Sequence, residues 1–124
     1  MTEEFKVVIT AFFDMQVFLG LTAFAWQTKI DFTKLSGSLF SLLIILIICG
    51  ILASFIPSLR VIYAGLGALV FSIFIVYDTQ LIIGGEHRKL RLSIDDYVMA
   101  ALSLYIDVIQ LFLFLLTILG GGRR

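Results

Sequence analysis

The sequence predicts an all-α fold of the membrane kind, a polytopic helical bundle with four transmembrane helices. Two observations carry this reading. Of the 124 residues, 60% are hydrophobic and 14% aromatic, and the mean hydropathy of +1.10 lies far above that of an ordinary soluble domain. The apolar residues also gather into four stretches, each close to the ~20 residues a helix needs to cross a bilayer. The four form a single transmembrane domain over residues 1–124, with no internal repeat, low-complexity tract or linker to divide it.

The first span is expected over about residues 5–26. It contains Asp14 and lacks the basic start, short apolar block and small-residue cleavage site of a secretory signal, so it is read as a retained helix. Gln27 to Gly37 then forms a loop, and the second span follows over about 39–56. Pro57 to Arg60 is a tight connection to the third span, about 61–83. Within that span Gly65, Gly67, Ala68 and Ser72 are small residues of the kind that let two membrane helices approach closely. A loop from Gly84 to Asp96 leads to the fourth span, about 97–119. Ser93 followed three residues later by Asp96 is a capping-box pattern that explains Asp96 as a helix start. Gly120 to Gly122 stops this helix, and Arg123 and Arg124 suit a headgroup zone at a helix C-terminus.

Lys29, Lys34, Arg88, Lys89 and Arg91 fall on one side of the membrane, and Lys6, Arg60, Arg123 and Arg124 on the other. That small excess places the first and third loops in the cytosol. The formal net charge of +0 argues against a nucleic-acid partner. A lone Cys49 inside the second span permits no internal disulfide, and with a single His87 it builds no Cys/His metal site. His87, in a basic loop, reads as a solvated or headgroup-facing residue. No cofactor is expected, and the partners expected from composition begin with the lipid bilayer.

The chemistry lies in acids placed where acids are expensive. In FIVYDTQLIIGG, Asp78 stands in a hydrocarbon context, which costs at least ~2.5 kcal/mol on insertion scales. On the fourth span Asp107 shares a face with Ala100, Ser103, Gln110 and Phe114, spaced three and four apart. Helices joined by a short loop pack side by side, so Asp78 and Asp107 fall within about one turn of each other in depth. Two carboxylates this close repel unless one holds a proton or a cation bridges them, which makes the pair a proton-or-cation switch. A hard cation such as Ca2+ prefers six to eight oxygens, so the pair is at most a transient metal site completed by water, Ser103 or backbone carbonyls. The plainer alternative is that each Asp is a neutral acid bonded to a polar residue of a neighbouring helix. Asp14 either joins the same pathway, with Gln110 and Ser103, or shows that the first span starts later.

QTKIDFT after the first span, VYDTQLIIGG closing the third and LSIDDYVMAALSLYIDVIQLFLFLLTILG through the fourth together resemble the Lifeguard branch of the transmembrane BAX inhibitor motif superfamily. The resemblance runs over nearly the whole chain and aligns it with the last four helices of a seven-helix fold whose last helix is central. It implies a pH-sensitive Ca2+ leak channel, or its sensor-bearing half, linked to inhibition of apoptosis. Asp78 in the DTQ motif and Asp107 in YIDVI match the family's di-aspartyl pH sensor. The resemblance further implies an endoplasmic reticulum or Golgi membrane, apoptosis-regulating membrane proteins as partners, and scope for a homo-oligomer. The chain departs from the family pattern at Asp14, where relatives tend to carry an apolar or hydroxyl residue, and at Ile94, where Pro often opens the helix. It also lacks the earlier helices and their latching cation.

Two further readings belong to other classes. One is a non-conducting membrane interaction protein that regulates cell death through helix packing. The other is an intramembrane aspartyl protease, suggested by Tyr77-Asp78 facing a second Asp. Leu104-Tyr105-Ile106 before Asp107 lacks the glycines that let a peptide backbone approach such a site, so the function is expected not to be enzymatic.

Overall fold

Four long helices account for nearly all of the chain in the computed structural model, which describes residues 3–83 and 94–120. They are α1 (Glu3–Gln27), α2 (Ser36–Phe55), α3 (Arg60–Ile83) and α4 (Ile94–Leu119). All four are long and apolar enough to cross a membrane. The helix ends lie within three residues of the ends expected for the four apolar stretches. The Ser93 cap, His87 and the basic residues of the third loop, and the glycines and arginines after Gly120, lie outside the described residues.

The start of α2 shows why the second span begins earlier than hydropathy alone suggests. Asp31 accepts a bond from the Thr33 backbone N–H at 3.1 Å and another from the Thr33 hydroxyl. This capping winds Phe32–Leu35 into a short 3-10 turn, which carries the chain directly into α2 at Ser36. At the other end Ile56 is extended, with φ −121° and ψ 95°, the geometry favoured before a proline. Pro57 then opens a 3-10 turn, Pro57–Leu59, that passes straight into α3. What the sequence reads as a loop here is thus wound almost throughout.

With no water in the hydrocarbon, each helix satisfies its own backbone and the side chains decide orientation. On α2, Phe40, Ile44, Ile47, Ile51 and Phe55 are all exposed along one face. In a bilayer that face is the lipid-facing one, so its exposure carries no penalty. Buried side chains concentrate on α3, whose last turns bury Ile75, Val76, Asp78, Thr79, Gln80 and Leu81 on several sides of the helix. α3 packs against α1, α2 and α4, whereas α2 approaches neither α1 nor α4 among the described residues. Among these four helices α3 is thus the one that touches all the others. The reason is visible in α4, where Ala100, Asp107, Leu111 and Phe114 form a single buried stripe and Val98, Leu102, Tyr105 and Ile109 face outward.

The small residues of α3 divide into two groups. Gly67 is buried beneath Phe114, where a Cβ would lie 2.5 Å from Phe114 Cζ. Gly65 faces open space, with nothing within 4 Å of a Cβ placed there. Only Gly67 serves the close helix contact expected of both.

Candidate functional site: a buried carboxyl pair at one end of an interhelical groove

Asp78 on α3 and Asp107 on α4 are brought together. Antiparallel packing sets Gly67 against Phe114 at one level, and proceeding along α3 while receding along α4 sets Asp78 against Asp107. Their carboxyl groups lie within hydrogen-bonding reach of each other. They are only 4% and 5% exposed. Each also has a buried Oδ2 with no hydrogen-bond partner. A buried acceptor without a donor carries a desolvation cost of about 1–3 kcal/mol. An oxygen left in that state is a place where a proton, water or cation would be stabilised.

Both acids line a cavity of about 390 Å³. Ser103 and Gln110 of α4 and Tyr77 of α3 line it too, so the polar stripe expected on the fourth span does converge on the pair. Leu43, Phe71 and Phe74 form its apolar wall. These three went unrecognised in the sequence because nothing in an apolar run marks which members face a cavity. Among the described residues, no three of His, Cys, Asp and Glu come together as a metal-binding group.

Asp14 does not line that cavity. It lies about three turns inside a helix that begins at Glu3. It is buried at 6% exposure, and its Oδ1 has no partner. Depth separates it from the pair. The Gln80 amide reaches the Ala25 carbonyl at 3.4 Å, which puts Ala25 close to Asp78 in level. Asp14 lies about three turns back from Ala25 along α1, roughly 16 Å at 1.5 Å per residue, and so roughly 13 Å in depth from Asp78, which precedes Gln80 by two positions.

The cavity continues. Because the backbones of α2 and α4 stay apart while both helices pack on α3, a groove runs between them along the face of α3, lined by side chains of both. A second cavity of about 220 Å³ shares Leu43, Phe71 and Gln110 with the first. A third, of about 330 Å³, shares Tyr63 and Phe114 with the second and reaches Arg60 at the start of α3. An aromatic cluster stands between the second and third. Tyr63 meets Phe114 edge-on at 5.3 Å between centroids, and Phe71 stacks on Phe114 at 5.8 Å.

Gln80 is the residue that motif reading passed over. It is fully buried. Its Oε1 accepts from the Phe32 N–H at 2.7 Å, and its amide donates to the Ile30 carbonyl at 3.0 Å. One side chain thus holds the α1–α2 connection over the end of α3, two positions beyond Asp78. The DTQ motif contains it, but a glutamine's long-range backbone partners leave no periodic trace.

Four spanning helices with paired acids in their interior define a multi-pass membrane protein. The chain belongs to the family described as inhibitor of apoptosis-promoting Bax1, whose sequence pattern matches residues 2–124. It is similar to Protein lifeguard 3 of Mus musculus, at 38% identity over 127 aligned positions, 98% of this chain and 40% of that protein. Protein lifeguard 3 of Homo sapiens is 38% identical over 120 positions, 92% of this chain and 38% of that protein. Protein lifeguard 4 of Mus musculus is 47% identical over 110 positions, covering 87% and 44%. The chain thus spans about two-fifths of the length of these curated relatives.

Proposed function

We propose that this chain carries the proton-sensing part of a Ca2+ leak pathway in an intracellular membrane of the endoplasmic reticulum or Golgi type, and acts through it to restrain apoptosis. The observation that supports this most is the Asp78–Asp107 pair, two buried acids within hydrogen-bonding reach of each other, each with an unpartnered oxygen, at the end of a groove that extends along α3. With a proton between them the two carboxyls hold each other and tie α3 to α4. Without it they repel, and a divalent cation is the charge that restores neutrality. Ser103, Gln110 and water would complete its oxygen shell, which makes occupancy transient, as a transported ion requires.

A second reading, a non-conducting regulator of cell death that works by helix packing with partner membrane proteins, is favoured by one observation. The Tyr63–Phe114–Phe71 cluster stands across the groove. Ca2+ flux through proteoliposomes containing this chain, scanned from about pH 5 to 8 beside Asp78→Asn and Asp107→Asn, separates the two readings. A flux whose pH dependence disappears in both variants supports the leak. A folded protein with no flux above empty liposomes supports the interaction role.

A further inference from the structure

The third cavity, at the Arg60 end of the groove, has a chemistry of its own. Leu113 and the small residues Gly50, Ala53 and Ala64 line its apolar part. Arg60, Tyr63, Ser54 and Thr117 bring polar atoms to the same space. The Ser54 hydroxyl already donates to the Gly50 carbonyl at 3.0 Å, and that of Thr117 to the Leu113 carbonyl at 3.0 Å. Their oxygens therefore add polarity without adding charge, and among the described residues of the lining Arg60 supplies the charge. Arg60 is exposed and has no acidic partner among the described residues; the ion pair at this end of the bundle joins Lys6 to Glu3 at 3.8 Å. The Tyr63–Phe114 contact separates this cavity from the rest of the groove.

The geometry points to a binding site for an anionic phospholipid, its headgroup phosphate on the Arg60 guanidinium and an acyl chain laid between α2 and α4. Position and chemistry both select this occupant. Arg60 opens a spanning helix and so stands at headgroup depth, and a planar guanidinium pairs with phosphate oxygens through two parallel hydrogen bonds. Residues of both α2 and α4 line the space beside Arg60. Tyr63 closes the inner end of the cavity, its ring edge-on to Phe114 and its hydroxyl against Gly50 of α2. Basic pockets between spanning helices are places where anionic headgroups lodge.

Native mass spectrometry of the purified chain, titrated with phosphatidylglycerol or with phosphatidylcholine of the same acyl chains, tests this. The expected result is several-fold greater retention of phosphatidylglycerol by the monomer. Arg60→Gln removes that preference, Arg60→Lys keeps part of it, and Lys6→Gln leaves it unchanged. Ser54→Phe, which fills the cavity and leaves Arg60 in place, lowers retention of both lipids. Equal retention of the two headgroups, or a preference that survives in Arg60→Gln, overturns the proposal. So does displacement of the lipid by millimolar inorganic phosphate, which would make this a phosphate site, or retention confined to dimers, which would make the groove an interface between copies. Helical circular dichroism and a monodisperse elution profile for each variant show that it is folded.

Discussion

Phe114 of α4 rests on the bare backbone of Gly67 of α3, so close that a Cβ at position 67 would lie 2.5 Å from the Phe114 Cζ. The ring has little room to retreat, since Tyr63 holds it edge-on at 5.3 Å and Phe71 stacks on it at 5.8 Å. This contact sets the distance between the two helices that carry Asp107 and Asp78. A larger side chain at Gly67 pushes the helices apart and loosens the acid pair with them.

Gly67→Val is therefore expected to destabilise the folded chain by about 1–3 kcal/mol, the usual cost of overpacking. The gain in helix propensity over glycine, less than about 1 kcal/mol, does not offset this. Gly65→Val supplies the comparison, because it adds the same side chain on the same helix with nothing within 4 Å of its Cβ, and should be neutral or slightly stabilising. Unfolding in mixed micelles with increasing denaturing detergent measures both. Equal losses at the two positions would show that glycine is needed for the helix itself and not for the contact.

Gln80→Leu should cost more than its size suggests. It deprives the Phe32 N–H of its acceptor and removes the donor to the Ile30 carbonyl in a fully buried position. Losing such bonds with a buried group left unsatisfied costs about 2–4 kcal/mol. The effect should also be local, with faster amide hydrogen exchange between Thr28 and Thr33 and little change in α2. Gln80→Glu keeps the acceptor for Phe32 and loses the donor, so it should lie between wild type and Gln80→Leu. Uniform exchange across the chain in Gln80→Leu would contradict the idea that this side chain holds one connection.

The four helices are legible because hydrocarbon imposes a length and an apolar composition on any segment that crosses it. Asp78 and Asp107 are legible for the complementary reason, that an acid in such a segment is costly enough to stand out. Gln80 is not, because its role depends on backbone groups some fifty positions away. Nor is the groove, since the separation of the α2 and α4 backbones among the described residues is a property of packing angles rather than of any residue. The two glycines of α3 make the same point at smaller scale. They sit two positions apart and look alike in sequence, yet they point to opposite environments.

Proton and cation should compete at the acid pair. If Ca2+ binds where the shared proton resides, each binding event releases protons, and apparent Ca2+ affinity rises with pH. Calorimetric titration in two buffers of different ionisation enthalpy measures the number released. Asp78→Asn and Asp107→Asn should each weaken binding at least tenfold and reduce the proton release. Affinity that stays constant from about pH 5 to 8 would mean that cation and proton do not share these oxygens.

Asp14 supplies the control for that competition. It is buried and has an unpartnered oxygen like the pair, but it lies roughly 13 Å from them in depth, counting 1.5 Å per residue along α1 and α3. A unit charge at that distance acts on the pair with about 1 kcal/mol at an effective dielectric constant near 20, a factor of roughly five in affinity. Removing a direct ligand costs more than that. Asp14→Asn should therefore change the apparent Ca2+ affinity of the pair by less than about fivefold and leave the number of protons released on binding unchanged. A loss as large as that of Asp78→Asn would place Asp14 among the ligands, which its depth on α1 forbids unless α1 slides by about two turns.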